Sequence, residues 1–360
     1  MVRNRALRLL LIVCIASSLV ASCTSCSPVY VLRAAFEEGK ILANREEIDS
    51  VLKESSTTEQ EKLKLQIVKD SREFAISLGL TPGKSFTKYT RIDKDVLTWV
   101  VVASRADSFS LHTWWFPIAG TMPYKGFFDK EDAEAEAAHL KQEEYETWVR
   151  GSEAFSTLGW FNDPVLTPTL KQPEARIANT VIHESVHATV WIKDNVAFNE
   201  SLANFVGMEG AVQFFTKQCE QCTESDLTCK TNCAKLLENA TRAQSTERLI
   251  ARTVEALFDD LKALYKGSEP KDEKLNKRQV IFAKHIEPLR ALFPTMTILE
   301  KINNAEIIQL ILYMTHLDSF DKVYAKCDRK WDIFLGKMRD IAKDVDQNGS
   351  DPFTLLDSYR

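Results

Sequence analysis

"TVIHESVHATVW", Thr180 to Trp191, places two histidines four residues apart with a glutamate directly after the first. On a helix, residues four apart lie about 40° apart around the axis, so His183 and His187 aim at one point. Glu184 sits about 100° round from His183, close enough to reach a water on a shared metal but turned too far to bind it. Ile182, Val186 and Val190 form a separate stripe suited to burial. The stretch reads either as a helix with a ligand face and a packing face, or as an ordinary amphipathic helix with three polar residues.

The residues beyond Trp191 bear on that choice. Lys193-Asp194-Asn195 is a polar turn, and Phe198-Asn199-Glu200-Ser201-Leu202-Ala203 opens a second helical run. Glu200, early on an antiparallel helix, is placed to be a third ligand. Zinc takes imidazole nitrogens at about 2.0–2.1 Å, and three protein ligands leave a position open for water. The metal acidifies that water and a neighbouring carboxylate, here Glu184, takes the proton. His-Glu-x-x-His supplies two ligands and the base in the fewest residues. An oxyanion needs a further donor, for which Tyr313 is the candidate; its competing reading is an aromatic packed beside Leu310 and Leu317.

Three runs, "FSTLGWFNDPVL" (Phe155 to Leu166), "IHESVHATVW" and "FNESLANFVG", lie in order around the motif. "WWFPIAGTMPYKGFFD" (Trp114 to Asp129) precedes them and "NNAEI…Y" (Asn303 to Tyr313) follows. Together they resemble a bacterial family of zinc aminopeptidases, HExxH proteins of gluzincin type, many of them lipoproteins. The resemblance spans most of the mature chain. It implies zinc held by His183, His187 and Glu200, Glu184 as catalytic base, and a peptide substrate. It also implies substrate binding along a sheet edge, for which Phe155 to Leu166 is the candidate, its competing reading being a core strand with a loop. Two departures stand out. About twelve residues separate His187 from Glu200, so the first helix must end soon after Trp191. No Gly-x-Met-Glu-Asn segment supplies a glutamate for the substrate amine, which leaves Asp163 or Glu153 as stand-ins. The alternative from another class is a non-catalytic lipoprotein on the same scaffold, acting as a binding or assembly module; an intact Glu184 argues against it.

The N-terminus indicates where this chemistry happens. Arg3, Arg5 and Arg8 precede an apolar run from Leu9 to Val20, which meets Ala21-Ser22-Cys23. That is a leader too short to span a bilayer well. Val20-Ala21-Ser22-Cys23 resembles a bacterial lipobox, implying cleavage after residue 22 and acylation of Cys23; the alternative is a conventional signal peptide or an uncleaved anchor. Thr24 rather than Asp favours the outer membrane, facing the periplasm. In an oxidising compartment the cluster Cys219, Cys222, Cys229 and Cys233 reads as two disulfides, nested as Cys219–Cys233 and Cys222–Cys229, rather than a zinc site. Net charge of −5 with interspersed signs gives no pull toward nucleic acid.

Periodicity supplies the fold class. Tyr30 to Leu80 reads as two helices, the second capped by Thr57 with Gln60. Asp95–Ser104, Leu111–Phe128 and Thr147–Phe161 read as strand-rich, with a helix over Glu131–Lys141 between. From Lys171 nearly everything is helical. The expectation is an α+β, mostly α, zincin-like metallopeptidase forming one unit over residues 23–360. Its parts are a helical region and small sheet (30–170), metal-site helices (172–217), a cysteine-rich insert (218–235) and a helical lobe (236–360). His112, His139 and His285 have no partnering motif. Asp344 to Gly349 imitates the opening of an EF-hand loop, but Leu355 stands where the bidentate glutamate belongs, so a solvated acidic turn is the better reading.

Overall fold

The computed structural model describes residues 36, 39–116, 120–152, 162–223, 225–296, 299 and 302–360. The leader, Cys23, Cys26, Glu153 and the 155–161 part of the candidate edge lie outside them. The described chain begins with β1 (Glu46–Glu47), α1 (Ile48–Val51), α2 (Glu59–Ser77), β2 (Lys88–Thr90) and β3 (Thr98–Arg105). Next come β4 (Trp114–Phe116), β5 (Gly120–Met122), β6 (Lys125–Phe127), α3 (Lys130–Gln142), β7 (Tyr145–Ser152) and β8 (Val165–Leu166). The helical remainder is α4 (Thr167–Lys171), α5 (Glu174–His187), α6 (Val196–Glu220), α7 (Leu227–Lys266) and α8 (Lys271–Leu292). It closes with α9 (Asn304–Met314), α10 (Leu317–Lys326), α11 (Trp331–Asn348) and α12 (Pro352–Ser358). Small sheets amid many helices make this an α+β fold weighted to α.

The sheet that positions the site has order β6-β3-β7. Strand β3 pairs antiparallel with β7 throughout, from Thr98 opposite Ser152 to Arg105 opposite Tyr145. Its sequence is apolar on both faces because both are covered. Val101 and Ala103 bury with Trp114 and Phe127 against α3, while Val100 and Val102 bury against Ala305 of α9 and Trp148 of β7. Helix α9 thus lies on the face of β7 that carries Trp148 and, by strand alternation, Arg150.

Helices α5 and α6 form the centre of the molecule. Ile182, Val186 and Val190 are buried with Phe198, Leu202 and Phe205 in one core, and Val181 and Ile177 with Phe214 and Phe215 in another. Gly207 allows the close approach: a Cβ there would lie 2.3 Å from Asn179 Oδ1, 3.1 Å from the Asn179 carbonyl and 3.2 Å from His183 Cβ. The connection between the two helices is short and clasped. Asn199, buried on α6, accepts from Ile192 N–H at 2.9 Å and donates to Ile192 C=O at 2.7 Å. Asp194 turns the chain with φ 61.

Several boundaries differ from the periodic reading. The cap of α2 is Thr58, accepting from Glu61 N–H, because Thr57 donates instead to the Val51 carbonyl. Helix α5 stops at His187 rather than beyond Trp191, and Thr189 bonds back to Ser185 while receiving Thr81 N–H. Val165–Leu166 pairs parallel with β2, away from the β6-β3-β7 sheet. Asp344 to Asn348 forms the last turn of α11, ended by Gly349 at φ 66, rather than a free acidic loop. Cys219 bonds Cys233 and Cys222 bonds Cys229, joining the end of α6 to the start of α7. Cys327 is a buried free thiol. No described helix is long and apolar enough to cross a membrane.

Candidate metal centre

The last turn of α5 and the second turn of α6 bring three ligand atoms together. His183 Nε2 and His187 Nε2 lie 3.2 Å apart. Glu200 Oε2 is 3.3 Å from the first and 3.4 Å from the second. Among the described residues this is the one His/Cys/Asp/Glu group arranged to hold a metal. The helix termini favour it: the carbonyl end of α5 attracts a cation, and the amide end of α6 favours the Glu200 carboxylate. His187 is buried, and its ring meets that of the exposed Trp191 edge to face, with centroids 5.6 Å apart.

Charge in the cluster is strongly coupled. Burial alone would raise the Glu200 carboxyl, but hydrogen bonds from both imidazoles outweigh it and hold the group well below the usual carboxylate range. Burial would lower His187, but Glu200 and then Glu184 hold it above its ordinary value. Glu184 takes no part in the triangle, and its Oε2 is buried without a hydrogen-bond partner. A buried carboxylate oxygen with no partner in the protein is poised to accept a proton or a donor.

Tyr313 comes from α9, its ring 6.5 Å from that of His183 and nearly parallel to it, at 15°. The ring is anchored through its backbone: Asn204 donates to the Tyr313 carbonyl at 3.0 Å, and Ser201 Oγ receives Thr315 N–H at 3.1 Å. Helix α9 ends at Met314, and His316, at φ 57, stacks on Phe353 at 4.3 Å.

Two further residues converge here that the motif reading did not single out. Tyr124, between β5 and β6, and Tyr313 are both raised above the ordinary phenol range, by burial first and the Glu200 charge second. Both hydroxyls therefore stay protonated as donors. Arg150 on β7 places its guanidinium carbon 5.9 Å from the Tyr313 ring centre and 5.8 Å from that of Trp148. Its Nε is buried without a hydrogen-bond partner. Tyr124 lies within the "WWFPIAGTMPYKGFFD" stretch. The signal for Arg150 was a charge on the strand face shared with Trp148.

The other candidates lie elsewhere. His112 packs edge-on to Trp114 and Tyr145, His139 faces Glu143 and His285 faces Asp260. Asp163 is buried, its N–H on Ser85 Oγ and its carbonyl on Phe86 N–H.

With this geometry in place, comparison with known proteins gives one match. The model of the family described as "Putative aminopeptidase" matches residues 29–350, most of the chain. The chain belongs to that family. No curated protein and no solved structure matches it.

Proposed function

We propose that this member of the aminopeptidase family is a zinc-dependent peptidase of gluzincin type, built on a zincin-like scaffold as one catalytic unit. We further propose that it is exported, held by lipid on Cys23 and facing the periplasm from the outer membrane.

One observation carries the metal assignment. A tetrahedral zinc with ligands at about 2.0–2.1 Å has ligand–ligand edges of about 3.3–3.4 Å. The triangle His183 Nε2, His187 Nε2, Glu200 Oε2 has edges of 3.2, 3.3 and 3.4 Å. Two imidazoles and one carboxylate suit zinc and leave a coordination position for water or substrate. When bound, zinc supplies Lewis acidity, polarising the peptide carbonyl and acidifying a water.

The chain's own residues do the rest. Glu184, its Oε2 buried and unpaired, accepts the water's proton and passes it to the leaving amine. Tyr313, kept protonated by burial and by Glu200, donates to the carbonyl oxygen as it gains charge. Strand β7 offers the peptide a surface. Asn303 Nδ2 occupies the outward-facing Thr147 carbonyl, so by ladder alternation Val149 and Gly151 also turn their backbone groups to the outer edge.

Removing metal with a chelator should abolish peptide hydrolysis, and zinc should restore it. Alanine at His183, His187 or Glu200 should lower zinc content and activity together. Retained hydrolysis in fully metal-free protein would overturn the proposal. A panel of free-amine and N-blocked peptides tests the terminus: an aminopeptidase cleaves only the free-amine set.

A further inference from the structure

The orphan cation beside the metal centre points to the substrate. Arg150 stands on β7, its guanidinium over Tyr313, whose ring is stacked on that of the candidate ligand His183. It has no ion-pair partner among the described residues, and its Nε is buried with no acceptor. Burying a guanidinium N–H unpaired is costly, and the cost is relieved if an anion arrives with the ligand. Nε and a neighbouring Nη form the fork that fits a carboxylate through two parallel hydrogen bonds. The Trp148 and Tyr313 rings lie 5.8 and 5.9 Å from the guanidinium carbon, and the nearby Tyr124 is a hydroxyl donor kept protonated by burial.

We propose that Arg150 is a specificity residue that binds a carboxylate of the peptide substrate. This inference rests on the hydrolytic reading of the metal centre. At roughly 3.3–3.6 Å per extended residue, the steps of 6.5 Å from the His183 ring to the Tyr313 ring and 5.9 Å on to the Arg150 guanidinium set an upper limit of about four residues between the scissile carbonyl and the carboxylate. The carboxylate is either the free C-terminus of a short peptide or an acidic side chain. Both present the same chemistry to the fork.

The test uses the full-length Glu184→Gln protein loaded with zinc, in which binding is separated from turnover. Calorimetry compares trialanine with its C-terminal amide, and the amides of Ala-Glu-Ala and Ala-Gln-Ala with each other. The free acid should bind ~10–100-fold more tightly than its amide, the worth of a charged hydrogen-bonded pair. In Arg150→Met the ratio should fall to about one, and Arg150→Lys should keep part of it. A preference confined to Ala-Glu-Ala amide over Ala-Gln-Ala amide assigns the acidic side chain as source. Equal binding of acid and amide, and of the Glu and Gln peptides, by protein with Arg150 intact would overturn the proposal without any variant having to fold. Arg150-dependent carboxylate binding with no hydrolysis by the wild type would keep the subsite and overturn the hydrolytic reading. Hydrolysis without carboxylate discrimination would do the reverse.

Discussion

Glu306 sits in the first turn of α9, its Oε2 accepting from the Asn303 backbone N–H at 2.9 Å. It lines a cavity of about 700 Å³ with Glu134, Glu146 and Trp148. Burial pushes its carboxyl up to about 7, the Asn303 N–H pulls it down and the Glu146 charge adds to the rise. Because the folded-state value lies above the unfolded one, the contribution is fully present below about pH 4.5 and is lost as pH rises through about 7. Glu306→Gln keeps an oxygen for the cap and carries no charge. Its stability relative to wild type should therefore rise between pH 5 and pH 8, as thermal melts at the two values would register. A pH-independent difference would mean that Glu306 does not titrate in this range.

At the scale of the elements, the α5–α6 pair decides whether the ligands meet. Gly207→Ala would force a methyl against Asn179 and His183 Cβ. Overpacking of this kind costs about 1–3 kcal/mol, and here it should also move His183 and weaken metal binding. A denaturant titration with a zinc competition assay checks both; unchanged zinc affinity would mean that the contact is slack. Further along, Cys219–Cys233 closes a loop with sequence separation 14. Replacing both with serine should cost about 2–3 kcal/mol while leaving zinc content intact, since the pair lies at the far end of α6. Zinc lost in proportion to those cysteines would contradict that.

Much of this pair was legible because its signal is local: a helical period sets His183 and His187 on one face, and a polar turn announces the next helix. What failed were features set by distant partners. The cap moved to Thr58 because Thr57 is engaged by Val51 and Arg91. Helix α5 ended early because Asn199 clasps Ile192 from the next helix. Arg150 and Tyr124 join the site only through the pairing of β3 with β7 and with β6 and the packing of α9, contacts that no local spacing encodes.

For the whole molecule, α9 links the sheet to the α5–α6 pair. Asn304 donates to the Arg105 carbonyl and its N–H meets Glu146, while Tyr313 at the other end is held by Asn204 of α6. One rigid strut thereby sets Tyr313 between Arg150 and His183. The site is proposed to work at a membrane surface, tethered through Cys23. Cys23→Ala should release the protein from membranes or block leader removal, read by fractionation and fatty-acid labelling; unchanged partition and label would contradict the anchor. In the proposed mechanism a metal held by three residues is worked by a fourth that does not touch it. Bound zinc and peptide hydrolysis, measured on the same preparations of wild type and Glu184→Gln, test it most directly. Each protein should hold about one zinc, and the variant should lose about 10²–10⁴ in hydrolysis. Hydrolysis surviving in Glu184→Gln would remove Glu184 from the chemistry, and zinc lost from it would make Glu184 a ligand.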